Sequence, residues 1–278
     1  MTKTRVLASL IMAPVAIAAV LLLSTPWIVA LSAVLFLAGL WEWFRLAEIE
    51  DGLARGILLL ANLLLMVALV WASSTDSSGS LVLFKLLTVV GVIWWLLAML
   101  WLRHSGFASD HDTHARVIKL AAATASVIPA WCALALIHAG QPYGHRWLLI
   151  ALAMIWAADS GAYFAGRRFG RHKLAPNISP NKTVEGLAGG VVAGVLLAVL
   201  AAPLAGAELA QLPLVALVAL LAILFSVVGD LYESLLKRHV GAKDSGTMIP
   251  GHGGLLDRID SVLAALPVFA LGQIWLGF

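Results

Sequence analysis

Long apolar runs broken at short intervals by clusters of charge dominate the chain, and the lengths of those runs predict its elements. A helix rises about 1.5 Å per residue, so roughly 20 apolar residues cross a bilayer core about 30 Å thick. About nine runs approach that length, near 7–24, 26–46, 56–73, 81–102, 117–138, 146–166, 186–205, 211–232 and 258–277. Ser24, Thr25 and Pro26 lie between the first two, a proline-marked turn that leaves room only for a helical hairpin. Lys3 and Arg5 ahead of the first run resemble the start of a secretory signal, but eight further spans and no convincing cleavage site predict a retained helix. The expected fold is all-α and polytopic, a single integral membrane domain over 1–278.

Composition narrows the class. The chain is 62% hydrophobic and 12% charged, whereas soluble domains carry roughly twice that share of charge. Lys and Arg in short loops are held on the cytoplasmic side. Placing the N-terminus inside puts all of the 18 Lys and Arg except Lys85 and Arg146 on that side. Omitting one span would invert every later loop, so the charge pattern supports both count and orientation, with residence in the cytoplasmic (inner) membrane. Trp27, Trp41, Trp43, Trp71, Trp101, Trp147 and Trp275 fall near helix ends, where amphipathic rings favour the headgroup layer, while Trp94, Trp95, Trp131 and Trp156 read as deeper packing residues. A pI of 9.2 would suit nucleic acid, but cations beside membrane helices fit anionic lipid or a phosphate substrate better, and no nucleic-acid partner is expected. Cys132 is the lone cysteine and reads as inert packing.

Charge within the apolar frame carries the chemistry. Asp159 and Asp230 each close an apolar run, and an ionised carboxylate in a span costs about 2.5–3.5 kcal/mol, less near the interface. Pairing with a Lys or Arg would offset that cost, and so would a divalent metal or a water-filled substrate cavity. Glu233, Ser234 and Lys237 follow Asp230 at i+3, i+4 and i+7, on one helical face. Asp257 and Asp260, with Arg258, open the last span in the same way. Two helix ends offering oxygen ligands suit Mg²⁺, which takes one or two carboxylates together with waters and substrate phosphate. Between them, Pro250-Gly251-His252-Gly253-Gly254 reads equally as an anion cradle or as a tight re-entrant turn.

A second cytoplasmic stretch, 167–185, is rich in cations that read mostly as solvated or lipid-facing. Lys182 differs, because Ser179-Pro180, Thr183 and Glu185 frame it as one cation aimed inward from a constrained loop. Gly186, Gly190 and Gly194 repeat at i+4 and predict a close helix-packing face. The run from Asp110 to His114 reads as a solvated loop, and Glu42 as a boundary carboxylate near Arg45 with no catalytic role.

From Ser234 to Asp260 the chain matches S-x-x-K-R-x4-K-D and then P-x-H-G-G-x-x-D-R-x-D without a gap. The matching positions are Ser234, Lys237, Arg238, Lys243, Asp244, Pro250, His252, Gly253, Gly254, Asp257, Arg258 and Asp260. This run resembles the signature of the phosphatidate cytidylyltransferase family, also called CDP-diacylglycerol synthases. Asp159, Tyr163, Gly166, Ser179, Pro180, Lys182, Thr183, Glu185 and Gly186 resemble the family upstream of it. The likeness is strong over the half 146–278, whereas the helices of 1–140 agree in number and hydropathy alone.

The resemblance implies an all-helical membrane enzyme, often a homodimer, that transfers a cytidylyl group from CTP to phosphatidate with Mg²⁺ and a monovalent cation such as K⁺. It implies Asp230 and Asp257 as metal-binding acids, with Asp260, Asp244 and Asp159 as further metal or supporting candidates. Lys182, Lys237, Arg238, Lys243 and Arg258 are expected at phosphates, Lys182 and Lys243 with catalytic weight. Ser179, Ser234, His252, Gly253 and Gly254 are expected to bind substrate. Two alternatives remain: a CTP-dependent polyprenol kinase, which would release CDP rather than pyrophosphate, and a secondary transporter, which would place its site nearer the bilayer midplane.

Overall fold

A computed structural model describes residues 13–75, 81–248 and 253–278, with no side-chain description for 74 and 75. The start of the first expected span and His252 lie outside the described residues. Within them the chain forms α1 (Ala13–Leu22), α2 (Thr25–Leu46), α3 (Gly52–Thr75), α4 (Val82–Arg103), α5 (Thr113–Ala139) and α6 (Gly144–Phe169). A small hairpin of β1 (Lys173–Ala175) and β2 (Ser179–Thr183) follows, then α7 (Val184–Ala201), α8 (Leu212–His239) and α9 (Leu256–Leu276). Eight helices are long and apolar enough to span a membrane, and α1 is a shorter apolar helix. The expected all-α polytopic fold is therefore observed, with one small two-stranded ladder added.

Polar residues lengthen several helices beyond their apolar runs. The Asp112 carboxylate accepts the Ala115 N–H at 2.7 Å and starts α5 inside the polar stretch read as a loop. Asp51 does the same for α3, accepting from Leu53 and Ala54. Most consequential is α8, which continues to His239. Leu235 and Leu236 are buried there, and Lys237, Arg238 and His239 in its last turn complement the negative end of the helix dipole.

α5 threads the interior, with every residue from Ser126 to His138 buried, Cys132 among them. Tryptophans supply much of the surrounding core. Trp43, Trp95 and Trp131 are buried and donate their indole N–H to the carbonyls of Lys119, Leu263 and Val29. Trp43, Trp94, Trp95 and Trp101 pack edge-on or tilted around Tyr232. Trp43, Trp101 and Trp147, expected near helix ends, lie there and are buried in the core, while Trp156, expected to be a packing residue, is exposed.

The glycine stripe of α7 faces α6. A Cβ at Gly190 would stand 2.7 Å from the Ala158 carbonyl, and one at Gly194 2.7 Å from that of Met154. Gly190→Val should therefore push α7 off α6 and cost about 1–3 kcal/mol. The check is thermal unfolding in detergent: a lower midpoint for Gly190→Val, and an unchanged one for Gly56→Ala, whose Cβ meets nothing within 4 Å.

One end of the bundle gathers the polar connections. Arg45 donates to the Ser245 carbonyl, His239 Nε2 lies 2.7 Å from that of Ser105, and Arg238 Nε donates to that of Ile178 at 3.2 Å. His111, expected to be solvated, is exposed but touches Glu48 at 2.5 Å, and buried Lys119 reaches the same carboxylate. Burial alone would raise the Glu48 carboxyl, but these two partners hold it below its ordinary range.

Candidate active site

At this polar end, α6, β2, α7, α8 and the first turn of α9 enclose an open cavity of about 690 Å³. The hairpin forms part of its wall and is fixed at both ends. Glu185 in the first turn of α7 accepts the backbone N–H groups of Arg171 and His172, and the hairpin turn is held to α8 through Arg238. The Thr183 hydroxyl caps α7 by accepting from Gly186 at 3.1 Å. Lys182, one residue earlier on β2, pairs with Asp230 of α8.

The α8 stripe presents its groups as the spacing predicts. Ser234 Oγ donates weakly to Asp230 at 3.5 Å, and Lys237 Nζ lies 2.6 Å from Glu233 and 2.7 Å from Asp257. One ammonium thus joins α8 to α9. Asp257 also accepts the backbone N–H of Ser245 at 3.1 Å and of Gly254 at 3.0 Å. Asp260, one turn further along α9, is buried and accepts the Ser261 N–H at 2.7 Å. Gly229 lets α9 come this close, since an added Cβ there would stand 2.9 Å from Ala264.

Most predicted residues meet here. Asp159, Ser179, Lys182, Asp230, Lys237, Asp257, Arg258 and Asp260 all line the cavity. Ser234 and Arg238 stand behind the wall through their contacts with Asp230 and Ile178. Lys243 and Asp244 are exposed and lie outside the lining, so their predicted direct roles find no support in this geometry. Of the two readings of the glycine segment, the turn is seen at its described residues. Gly253 has φ of +85°, and the Gly254 N–H is taken by Asp257, which makes the described part of the segment a tight turn.

Sequence reasoning missed Arg167 and Ser226, which also line the cavity. Ser226 stands four residues before Asp230 and Arg167 eight after Asp159, so helical spacing held the signal for both. Glu42 was misjudged. It is 3% exposed, and its carboxylate accepts from Ser245 Oγ and from the Leu256 N–H rather than lying free at a boundary.

The donor set has a definite chemistry. Asp159, Asp230, Glu233, Asp257 and Asp260 face Arg167, Lys182, Lys237 and Arg258 across one space, with no His or Cys among the described residues of its lining. Oxygen donors alone suit a hard cation such as Mg²⁺ and disfavour zinc. No three His, Cys, Asp or Glu side chains among the described residues are grouped as a ready cage. Mg²⁺ does not need one, because it binds through one or two carboxylates, waters and phosphate oxygens. Of the two carboxylates that close apolar runs, Asp230 is paired with Lys182, and both Asp159 and Asp230 border the cavity.

The sequence profile of the cytidylyltransferase family matches residues 3–274, nearly the whole chain. This chain belongs to that family. Among similar cytidylyltransferases, the phosphatidate cytidylyltransferase of Pseudomonas aeruginosa is 38% identical over 271 residues, 97% of this chain and 96% of that protein. That of Haemophilus influenzae is 33% identical over 284 residues, 97% of this chain and 98% of the other. A third, from Bacillus subtilis, is 43% identical over 125 residues, 45% of this chain and 46% of the other. Family membership extends across the N-terminal helices, where the sequence motifs are silent.

Proposed function

We propose that this cytidylyltransferase moves CMP from CTP to phosphatidate, giving CDP-diacylglycerol and pyrophosphate for phospholipid biosynthesis. The observation that carries the reading is the cavity of facing carboxylates and cations at one end of a membrane bundle, in a chain whose full-length relatives bear that name. A phosphate oxygen of phosphatidate attacks the α-phosphorus of CTP, and the bond from that phosphorus to the bridging oxygen breaks as pyrophosphate leaves. The nucleophile is already anionic, so no general base is required. Repulsion between two polyanions is the obstacle, and the site's cations answer it.

Lys182, Lys237, Arg258 and Arg167 line the cavity and would bind phosphate oxygens. Each lysine sits on a flexible stem beside an acid, so a bound triphosphate can draw the ammonium toward itself and release the carboxylate. Asp230 and Asp257, with Asp159 and Asp260 nearby, would hold Mg²⁺, which supplies charge neutralisation at the transferring phosphoryl group. Apolar wall residues such as Leu187, Ile223 and Val227 would lower the local polarity beside the substrate, where fixed charges act more strongly.

Cation placement argues for a cytoplasmic N-terminus and a cytoplasmic cavity, which lets CTP arrive from solution and the lipid from the inner leaflet. A homodimer and a K⁺ requirement rest on the family resemblance alone, to be checked by the mass of the purified protein and by omission of K⁺. The deciding test is incubation with phosphatidate, Mg²⁺ and CTP labelled at the α- or γ-phosphate. Label should enter lipid from α-labelled CTP only; transfer from the γ-position, or none, would overturn the assignment.

A further inference from the structure

Glu42 lies in α2, far from the signature in sequence, yet it holds two neighbours of Asp257. Its Oε2 accepts from Ser245 Oγ at 3.1 Å and from the Leu256 N–H at 2.8 Å. Ser245, itself fully buried, turns its own N–H onto Asp257. Arg45, one turn beyond Glu42, donates to the Ser245 carbonyl. Ser245, within the connection between α8 and α9, and Leu256, the first residue of α9, are thus tied to one carboxylate.

Two glycines are explained by this approach. A Cβ at Gly246 would collide with the Glu42 carboxylate, and one at Gly254 would stand 2.5 Å from its Oε2 and 2.7 Å from the Gly246 N. A side chain at either position would lift the connection off α2, and Asp257, which takes the Gly254 N–H, would move with it.

We infer that Glu42 is a positioning residue: through Ser245 and the head of α9 it sets where the Asp257 carboxylate faces the cavity, so that the N-terminal helices govern the reaction. The inference rests on the functional reading above for its kinetic consequence, but its structural half does not. Oε2 accepts both hydrogen bonds, while Oε1 has no partner among the described residues. An amide can therefore replace the carboxylate with its oxygen at the Oε2 position and lose neither bond. The inference thus depends on the acceptor and not on the charge.

The test uses the full chain and compares Glu42→Ala, Glu42→Gln and Ser245→Ala. Glu42→Ala should lower kcat about 10–100-fold, the range seen when groups supporting a reactive ligand are removed, with the KM for CTP within about twofold. Glu42→Gln should stay within about threefold of wild type on the same argument. Hydrogen exchange should show faster exchange in the 244–258 peptides of Glu42→Ala and wild-type protection in Glu42→Gln, a readout that stands even if the wild-type protein proves to transfer no CMP. Equal losses in the Gln and Ala variants, or unchanged exchange in Glu42→Ala, would overturn the inference. If Glu42→Ala does not fold, Ser245→Ala decides: it removes one donor, and wild-type kcat and exchange there would overturn it equally.

Discussion

Asp257→Asn is expected to cut CTP-dependent lipid labelling at least about 100-fold, about 2.7 kcal/mol in the barrier, while the protein remains folded in the membrane. The carboxylate receives three donors, from Lys237, Ser245 and Gly254. Converting it to an amide removes one negative charge from the wall that faces the nucleotide, and places an NH₂ against at least one of those donors. Lys237 is not stranded, because Glu233, four residues earlier on α8, still lies 2.6 Å from it, while the contact across to α9 becomes a neutral hydrogen bond to the amide oxygen. The loss should therefore fall on turnover rather than on folding. The checks are product formation from α-labelled CTP, with size-exclusion and thermal unfolding in detergent as controls. Activity within a few-fold of wild type in a folded variant would remove Asp257 from the chemistry.

The same geometry shows what the sequence could reveal and what it could not. Apolar run length located every described span, and helical spacing placed Asp230, Glu233, Ser234 and Lys237 on one face, because both signals are local. Helix ends were less legible: Asp112 and Asp51 begin helices with polar caps that an apolar count excludes. The hairpin was invisible for a related reason. Its strands are polar and carry Pro180, and two short strands are marginal alone, so they exist by virtue of Glu185 and Arg238 at their borders. Tryptophan packing was less legible, because nearness to a helix end does not say which face the ring occupies. Trp43 turns inward to the Lys119 carbonyl, 76 residues away. Glu42 failed most instructively, since its partners lie 203 and 214 residues on, and no local pattern encodes so distant a contact.

Lys182 and Asp230 provide the second large effect, and it separates a working pair from a merely structural one. Both are partly exposed to the cavity, at 26% and 31%, so neither is locked in place as a buried ion pair would be. If the pair served only to neutralise a carboxylate near the membrane, the neutral double variant Lys182→Met/Asp230→Asn would restore what each single change loses. In a site that binds nucleotide, the two groups part in the course of turnover, the ammonium to phosphate and the carboxylate to the cation. Asp230→Asn should then lose about 100-fold or more in kcat, and Lys182→Met about 10–100-fold, expressed largely in the KM for CTP. The double variant should be no more active than Asp230→Asn alone. A double-mutant cycle on kcat/KM with purified protein measures this directly, with the interaction free energy as its readout. Recovery of activity in the double variant would reduce the pair to charge balance and remove Asp230 from its proposed metal-binding role.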